Sequence, residues 1–329
     1  MMIVPRLTVE VDRFPIAGSF TISRGSRTEA VVVTATIAEG DIKGRGECVP
    51  YARYGETVKG VRDLIIAQMG AIADGVARHD LAGLLPAGAA RNALDCALWD
   101  LQAKRESRAV WQIANLPRPK PVTTAYTLSL GTPDEMGEAA RRANSRPLLK
   151  VKLGGEGDDE RIAAVRRGAP QAALIVDANE AWSEATFQKN VEACERARVK
   201  LIEQPFPSDG DDVLSGLKSA IPICADESIH DEKSLDKILD CYDMINIKLD
   251  KTGGLTGSLK LATAARAKGM GIMVGCMVGT SLAMAPAMLL QSFAEYIDLD
   301  GPLLLSRDRE PGLHFEGSRI YPATAELWG

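Results

Sequence analysis

Between residues 122 and 298 the chain repeats one pattern eight times: a short apolar run, followed after all but the last by a helical stretch. The runs cover 122–128, 148–152, 173–177, 199–203, 223–226, 244–248, 272–276 and 296–298. Their period of roughly 25 residues is that of a strand–helix unit in a closed parallel barrel. The pattern predicts an α/β fold, a (β/α)7β variant of the TIM barrel with seven full units and a final strand. A doubly wound sheet is the main competitor, but it rarely needs eight such units, and no phosphate-binding glycine fingerprint follows a strand here. Ahead of the repeat, residues 1–115 alternate in the strand manner through Leu7, Val9 and Val11, again over 30–37, and into Gly44, Gly46 and Glu47. Helical stripes follow at Val61, Leu64, Ile65 and Met69, and at Leu94, Ala97, Leu98 and Leu101. That is an α+β unit. Pro117, Pro119 and Pro121 mark its exit. The predicted organisation is an α+β domain over 1–115, a barrel over 116–308, and a tail over 309–329 that folds back on the first unit.

Composition restricts the partners. The 329 residues carry a net charge of -5 with no basic run, so the electrostatic footprint of nucleic acid or of an anionic membrane is missing. Small molecules are the expected ligands. The six cysteines are scattered, with no CxxC pair, which suits reduced thiols in core positions. The N-terminus has no apolar signal core. No run approaches the roughly 18 apolar residues of a membrane-crossing helix. A cytoplasmic protein is expected; the sequence leaves open whether it is a homo-oligomer.

The chemistry lies where the runs stop. Active sites of such barrels are built at the C-terminal ends of the strands, and here those ends are ionisable: Lys150 and Lys152, Asp177, Glu203, Asp226, Lys248, then Asp298 and Asp300. Lys150 and Lys152 alternate with Val151, so they project to one side of a strand as adjacent ammonium groups. Mutual repulsion and burial both favour a neutral, basic amine in such a pair. Taken alone, the motif also fits an edge strand that uses lysines against aggregation.

Asp177, Glu203 and Asp226, on consecutive strands, would repel one another without a cation between them. An all-oxygen donor set without histidine or cysteine points to Mg2+, with Mn2+ as substitute. Of the three histidines none ends a strand, and His230, close after Asp226, is the only one near the site. Lys152 and Lys248 would face each other across the bowl. Bases on opposite faces of one carbon fit removal of a proton from one side and its return on the other, that is, racemisation or epimerisation through an ene-diolate.

The residues resemble the enolase superfamily, in its muconate-lactonising subgroup. The carriers are Lys150-Val151-Lys152, Asp177 in VDANEAW, Glu203 in IEQP, Asp226 in CADES and Lys248 in NIKLDKTGG, with GRGECVPYARYGE and GAARNALDCALWDLQAK in the first unit. The resemblance implies that the α+β unit caps the barrel. Within the subgroup the chain is similar to the dipeptide epimerases that act on L-Ala-D/L-Glu. Asp298-Leu299-Asp300 resembles the pair that binds the dipeptide's α-ammonium group there. Arg24 in ISRGSRTEA matches the arginine that pairs with the glutamate side chain. The implied role is reclaiming murein peptides, with a dipeptide as partner and Lys150 tuning Lys152 and helping to hold the substrate carboxylate. Three readings compete: a muconate- or o-succinylbenzoate-type lyase or cycloisomerase on the same fold, a pyridoxal-phosphate racemase, and a catalytically idle barrel that binds an acidic ligand.

Overall fold

The computed structural model describes residues 4–329. A long antiparallel hairpin opens it, β1 (Arg6–Ile22) and β2 (Gly25–Glu39), and β3 (Ile42–Cys48) adds a third strand. Against this sheet lie the helices α1 (Val58–Ile66) and α2 (Ala89–Glu106). The approach of α2 is set by small residues on both sides. Ala93 and Ala97 are fully buried, and a Cβ on Gly46 of β3 would lie 2.1 Å from the Ala93 carbonyl oxygen and 2.7 Å from the Ala97 nitrogen.

Eight parallel strands follow: β4 (Tyr126–Leu128), β5 (Leu148–Lys152), β6 (Ala173–Asp177), β7 (Val199–Glu203), β8 (Ile223–Ala225), β9 (Met244–Ile247), β10 (Gly271–Gly275) and β11 (Tyr296–Asp298), hydrogen-bonded in that order. The Ala125 amide donates to the Ile297 carbonyl at 2.8 Å, bringing the first and last strands together. The predicted 122–128 run divides in two. Val122–Thr123 leaves the barrel to pair with Arg319–Ile320 of the tail, and only Tyr126–Leu128 joins the parallel sheet.

Because strand side chains alternate, every second residue enters the barrel. Leu148, Ile175, Leu201, Cys224, Met244 and Met273 form an apolar cluster there. Two residues further along β5, β6, β7 and past β8, the same inward parity gives Lys150, Asp177, Glu203 and Asp226. The apolar layer excludes water from below, so the ionisable layer opens only toward the strands' C-terminal ends. The helices between strands have local start signals. Thr132, for example, caps Pro133–Arg142 while Glu135 reaches back to the Thr132 amide.

The first unit and the barrel share buried polar contacts. Glu47 on β3 accepts from the Thr280 amide and from Arg309 Nε, at 2.8 and 2.7 Å, and Arg309 Nη2 reaches Asp12 and Thr34. The tail lies on α2: Trp328 Nε1 donates to the Cys96 carbonyl and the Gly329 amide to Asp100. The hairpin tip crosses the barrel mouth, where the Leu130 amide donates to the Thr21 carbonyl and Ser23 Oγ to the Asn179 carbonyl.

The β3–α2 contact has no room for a methyl group. Gly46→Ala should lower the unfolding free energy by about 3 kcal/mol, at the upper end for an overpacked site. Urea denaturation of the purified variant measures this, and an unchanged midpoint would show that α2 can move away.

Candidate active site

The strand ends and the hairpin tip enclose a cavity of about 410 Å³, lined by Lys150, Lys152, Asp226, Lys248, Asp298 and Asp300 from the barrel and by Phe20, Arg24 and Arg27 from the hairpin. The β5 lysines occupy an interior strand between β4 and β6, which removes the edge-strand reading. Both converge on one oxygen, with Lys152 Nζ 2.6 Å and Lys150 Nζ 3.3 Å from Asp177 Oδ2.

Lys150 is the deeper of the two. Its ammonium also lies 2.8 Å from Asp298 Oδ2 and 2.6 Å from Glu203 Oε2. The contact with Glu203 is one of charge, since its geometry is not that of a hydrogen bond and Oε2 has no hydrogen-bond partner. The expectation of a neutral amine fails at Lys150. Burial acts to lower its pKa, but Asp298, Glu203, Asp177 and Asp226 outweigh that and hold it well above the ordinary lysine value. Lys248 behaves alike: burial is overcome chiefly by Asp226, whose Oδ2 is 2.7 Å from its Nζ, and the pKa rises.

Carboxylate oxygens of Asp177, Glu203 and Asp226, all buried, lie within 4.8 Å of one another. Burial works against the charge of each. At Asp177 the ammonium groups of Lys152 and Lys150 prevail and the pKa is lowered, as Lys248 and Lys251 lower that of Asp226. Glu203 is the exception, pushed up by burial and by Asp177 despite Lys150. Three hard oxygen donors, one with an unpartnered oxygen and too little positive charge around it, fit a small divalent cation.

Lys152 and Lys248 stand at the ends of β5 and just beyond β9, four strands apart in an eight-strand ring, hence on opposite sides of the cavity. Asp298 and Asp300 form one wall. Asp300 Oδ2 accepts the Thr127 amide at 2.6 Å, and Asp298 Oδ1 is buried without a partner. Burial and the neighbouring Asp298 raise the Asp300 pKa to about 7.

Arg24 reaches the cavity from the hairpin, where Glu227 lies 2.5 Å and Glu180 3.0 Å from its guanidinium. His230 stacks edge-on against Tyr54, with ring centroids 4.5 Å apart, and does not belong to the carboxylate cluster.

Several supporting residues escaped the sequence reading. Asn246 Nδ2 donates to Glu203 Oε1 at 2.7 Å, and its parity with Lys248 on β9 was the available signal. Gln204 Oε1 accepts the Asp226 amide at 2.8 Å. Lys251, three residues past Lys248 on the short helix Leu249–Thr252, puts its ammonium 2.6 Å from Asp226 Oδ1 and 2.9 Å from the Asn246 carbonyl.

With this geometry in place, comparison with known proteins is specific. Residues 6–114 match the N-terminal domain of the mandelate racemase/muconate lactonizing enzymes, and residues 135–324 match the enolase C-terminal domain-like family. The chain belongs to the enolase superfamily. Within that superfamily it is 44% identical over 319 residues to the L-Ala-D/L-Glu epimerase of Escherichia coli, covering 95% of this chain and 99% of that one. It is 45% identical over 302 residues to an N-acetyl-D-glutamate racemase from Pseudoalteromonas, covering 91% and 95%. An enolase family member from Agrobacterium tumefaciens with homology to dipeptide epimerases, solved with sodium, L-Ala-L-Glu and an ordered loop, superposes with a TM-score of 0.97 at 49% identity, covering 99% and 100%.

Lys251 holds the Asp226 carboxylate through Oδ1. Lys251→Met should weaken Mg2+ binding about tenfold and cost about 3 kcal/mol of stability, because it leaves a buried charge short of a partner. Isothermal titration with Mg2+ and urea denaturation read the two effects.

Proposed function

We propose that this enolase-superfamily chain is a metal-dependent dipeptide epimerase that inverts the glutamate α-carbon of L-Ala-D/L-Glu by 1,1-proton transfer. The observation that carries the reading is the entry of Lys152 and Lys248 into one cavity from opposite sides of the barrel. One lysine begins a turnover neutral and takes the α-proton; the other, as an ammonium, returns a proton to the opposite face, and their states are then exchanged. Asp177 and Asp226 each hold one of these amines by a single oxygen, at 2.6 and 2.7 Å, which fixes the nitrogen beside the substrate carbon. Phe20, with its ring centroid 5.7 Å from Lys152 Nζ, covers that side and keeps water from it.

Asp177, Glu203 and Asp226 are the residues that would hold Mg2+, with Mn2+ as a substitute. The ion's contribution is to stabilise the negative charge that develops on the substrate carboxylate. Lys150 has three N–H donors, and Asp298, Glu203 and Asp177 surround them. Its part is therefore mainly to tune Lys152 by its charge and to orient the carboxylates, with a weaker share in holding the substrate. Asp298 and Asp300 receive the dipeptide's ammonium group, and Arg24 lends positive charge to the glutamate side chain.

The wall formed by Asp298 and Asp300 favours a dipeptide over an N-acylated glutamate. A buried carboxylate oxygen without a donor, Asp298 Oδ1, calls for a cation, which an N-acyl group lacks. The corresponding physiological role is cytoplasmic recycling of murein peptides, in which L-Ala-D-Glu becomes a dipeptide that ordinary peptidases cleave.

With Mg2+ in D2O, L-Ala-L-Glu and L-Ala-D-Glu should each gain deuterium at the glutamate α-carbon and yield both diastereomers. No exchange with either would remove the epimerase reading in favour of a lyase, a cycloisomerase or an idle barrel. Lys152→Ala and Lys248→Ala should each reduce turnover by about 10³-fold, the scale of losing a positioned base, while calorimetry still detects Mg2+ binding. EDTA should abolish exchange, and added Mg2+ should restore it.

A further inference from the structure

The cavity mouth carries a group of charges that are largely paired with one another. A guanidinium offers five N–H donors, and Arg24 has already directed four of them inward. Its Nη1 donates to the Asn179 carbonyl and to Glu180, at 2.8 and 3.0 Å, and its Nη2 to the Tyr51 hydroxyl and Glu227, at 3.1 and 2.5 Å. Arg53 takes both oxygens of Glu180, at 2.8 and 2.7 Å. Two arginines thus answer two glutamates, and the set ties the hairpin and the 49–54 loop to the barrel. In this arrangement Arg24 can offer an incoming carboxylate only its Nε–H.

Arg27 is different. It stands directly opposite Phe20 in the hairpin ladder, so the two side chains leave the same face of the sheet. Phe20 is the ring beside Lys152. The Arg27 guanidinium lies 5.4 Å from the Tyr51 ring centroid and lines the cavity. Glu29, its neighbour on β2, is taken by Arg13. Among the described residues Arg27 has no ion pair, and its side chain is exposed. It is an unmatched fork of donors on the cavity lining, paired in the hairpin with the residue whose ring lies beside Lys152.

We propose that Arg27 is the residue that selects an acidic side chain on the substrate's second residue, gripping the distal carboxylate in bidentate fashion while Arg24 remains committed to the latch. This rests on the dipeptide reading. It divides the two arginines of one short loop between recognition and structure: a distal carboxylate completes Arg27, whereas releasing Arg24 would leave Glu227, which is 4% exposed, without its cation.

The test compares wild type, Arg27→Gln, Arg27→Lys and Arg24→Gln, all loaded with Mg2+. L-Ala-L-Glu and L-Ala-L-Gln are used in calorimetric titration and in the D2O exchange assay. Arg27→Gln should weaken binding of L-Ala-L-Glu and raise its KM at least about tenfold, the scale of one charge-assisted pair. It should leave kcat within about twofold, nearly erase the preference for Glu over Gln, and leave the melting temperature unchanged. Arg27→Lys should recover part of the preference, since a point charge replaces a fork. Arg24→Gln should lower the melting temperature. An Arg27→Gln enzyme with wild-type affinity for L-Ala-L-Glu and an undiminished Glu preference overturns the proposal, as does loss of that preference in Arg24→Gln alone. Wild-type protein that binds L-Ala-L-Glu without exchange overturns the reaction and leaves the binding test of Arg27 standing; wild-type protein that binds neither dipeptide overturns both.

Discussion

Everything in this barrel depends on how its buried charges neutralise one another. Lys150, Lys152, Lys248 and Lys251 share the interior and its rim with Asp177, Glu203, Asp226, Asp298 and Asp300, all of them buried. Burying any one alone would cost several kcal/mol. Counted as charged, four ammonium groups against five carboxylates leave an excess of one negative charge, which a divalent ion and the one neutral lysine of the proposed turnover would bring to balance. The ground state of the proposed reaction is therefore also the electrically balanced state of the core. Asp177 and Asp226 sit in both halves of that balance, since each belongs to the three-carboxylate cluster and each holds an amine proposed as a base.

Such a layer needs a dry floor and a lid. The floor is the Leu148, Ile175, Leu201 and Met244 cluster, laid down by the same alternation that points the charged residues inward. The lid comes from a different part of the chain and is held by its own ion pair, the buried Glu47 with the partly buried Arg309. Burial raises the Glu47 pKa, and Arg309 and Thr280 act against that rise. The pair joins β3, the segment after β10, and the tail. The cap is thus attached through polar contacts with a defined geometry, which sets the height of the hairpin tip over the strand ends more closely than an apolar contact would.

Much of this could be read from the sequence because it is periodic. The eightfold strand repeat gave the barrel, and period two within each strand turned a list of ionisable residues into one layer. Local spacing could also have supplied Asn246, two residues before Lys248, and Lys251, three residues after it. Other features had no local signal. The run at 122–128 looks uniform, yet its first two residues pair with a segment nearly two hundred residues away in the tail, a separation on which periodicity is silent. At Lys150 the expected neutral amine failed for a similar reason. The sequence displays the like charge next door, while the carboxylates that outweigh it arrive from β6, β7 and β11. The latch on Arg24 joins residues 156 and 203 positions apart, so a motif that reads as a free carboxylate receptor is largely occupied once the chain folds.

That occupancy bears on how one scaffold can serve many side chains. The proposed proton-transfer groups stand on strand ends whose register is fixed by the barrel, and moving any of them would disturb the charge balance below. The hairpin tip is free of that constraint. Its latch uses Arg24, Glu180 and Glu227, which fixes where the loop sits, whereas a residue such as Arg27 projects from the loop without bearing on its position. Under that proposal, exchange at a projecting position would alter what the mouth accepts and leave both the loop and the chemistry in place. In a site built this way, recognition would change by single substitutions on β2, while the proposed reaction is held by residues contributed from six strands.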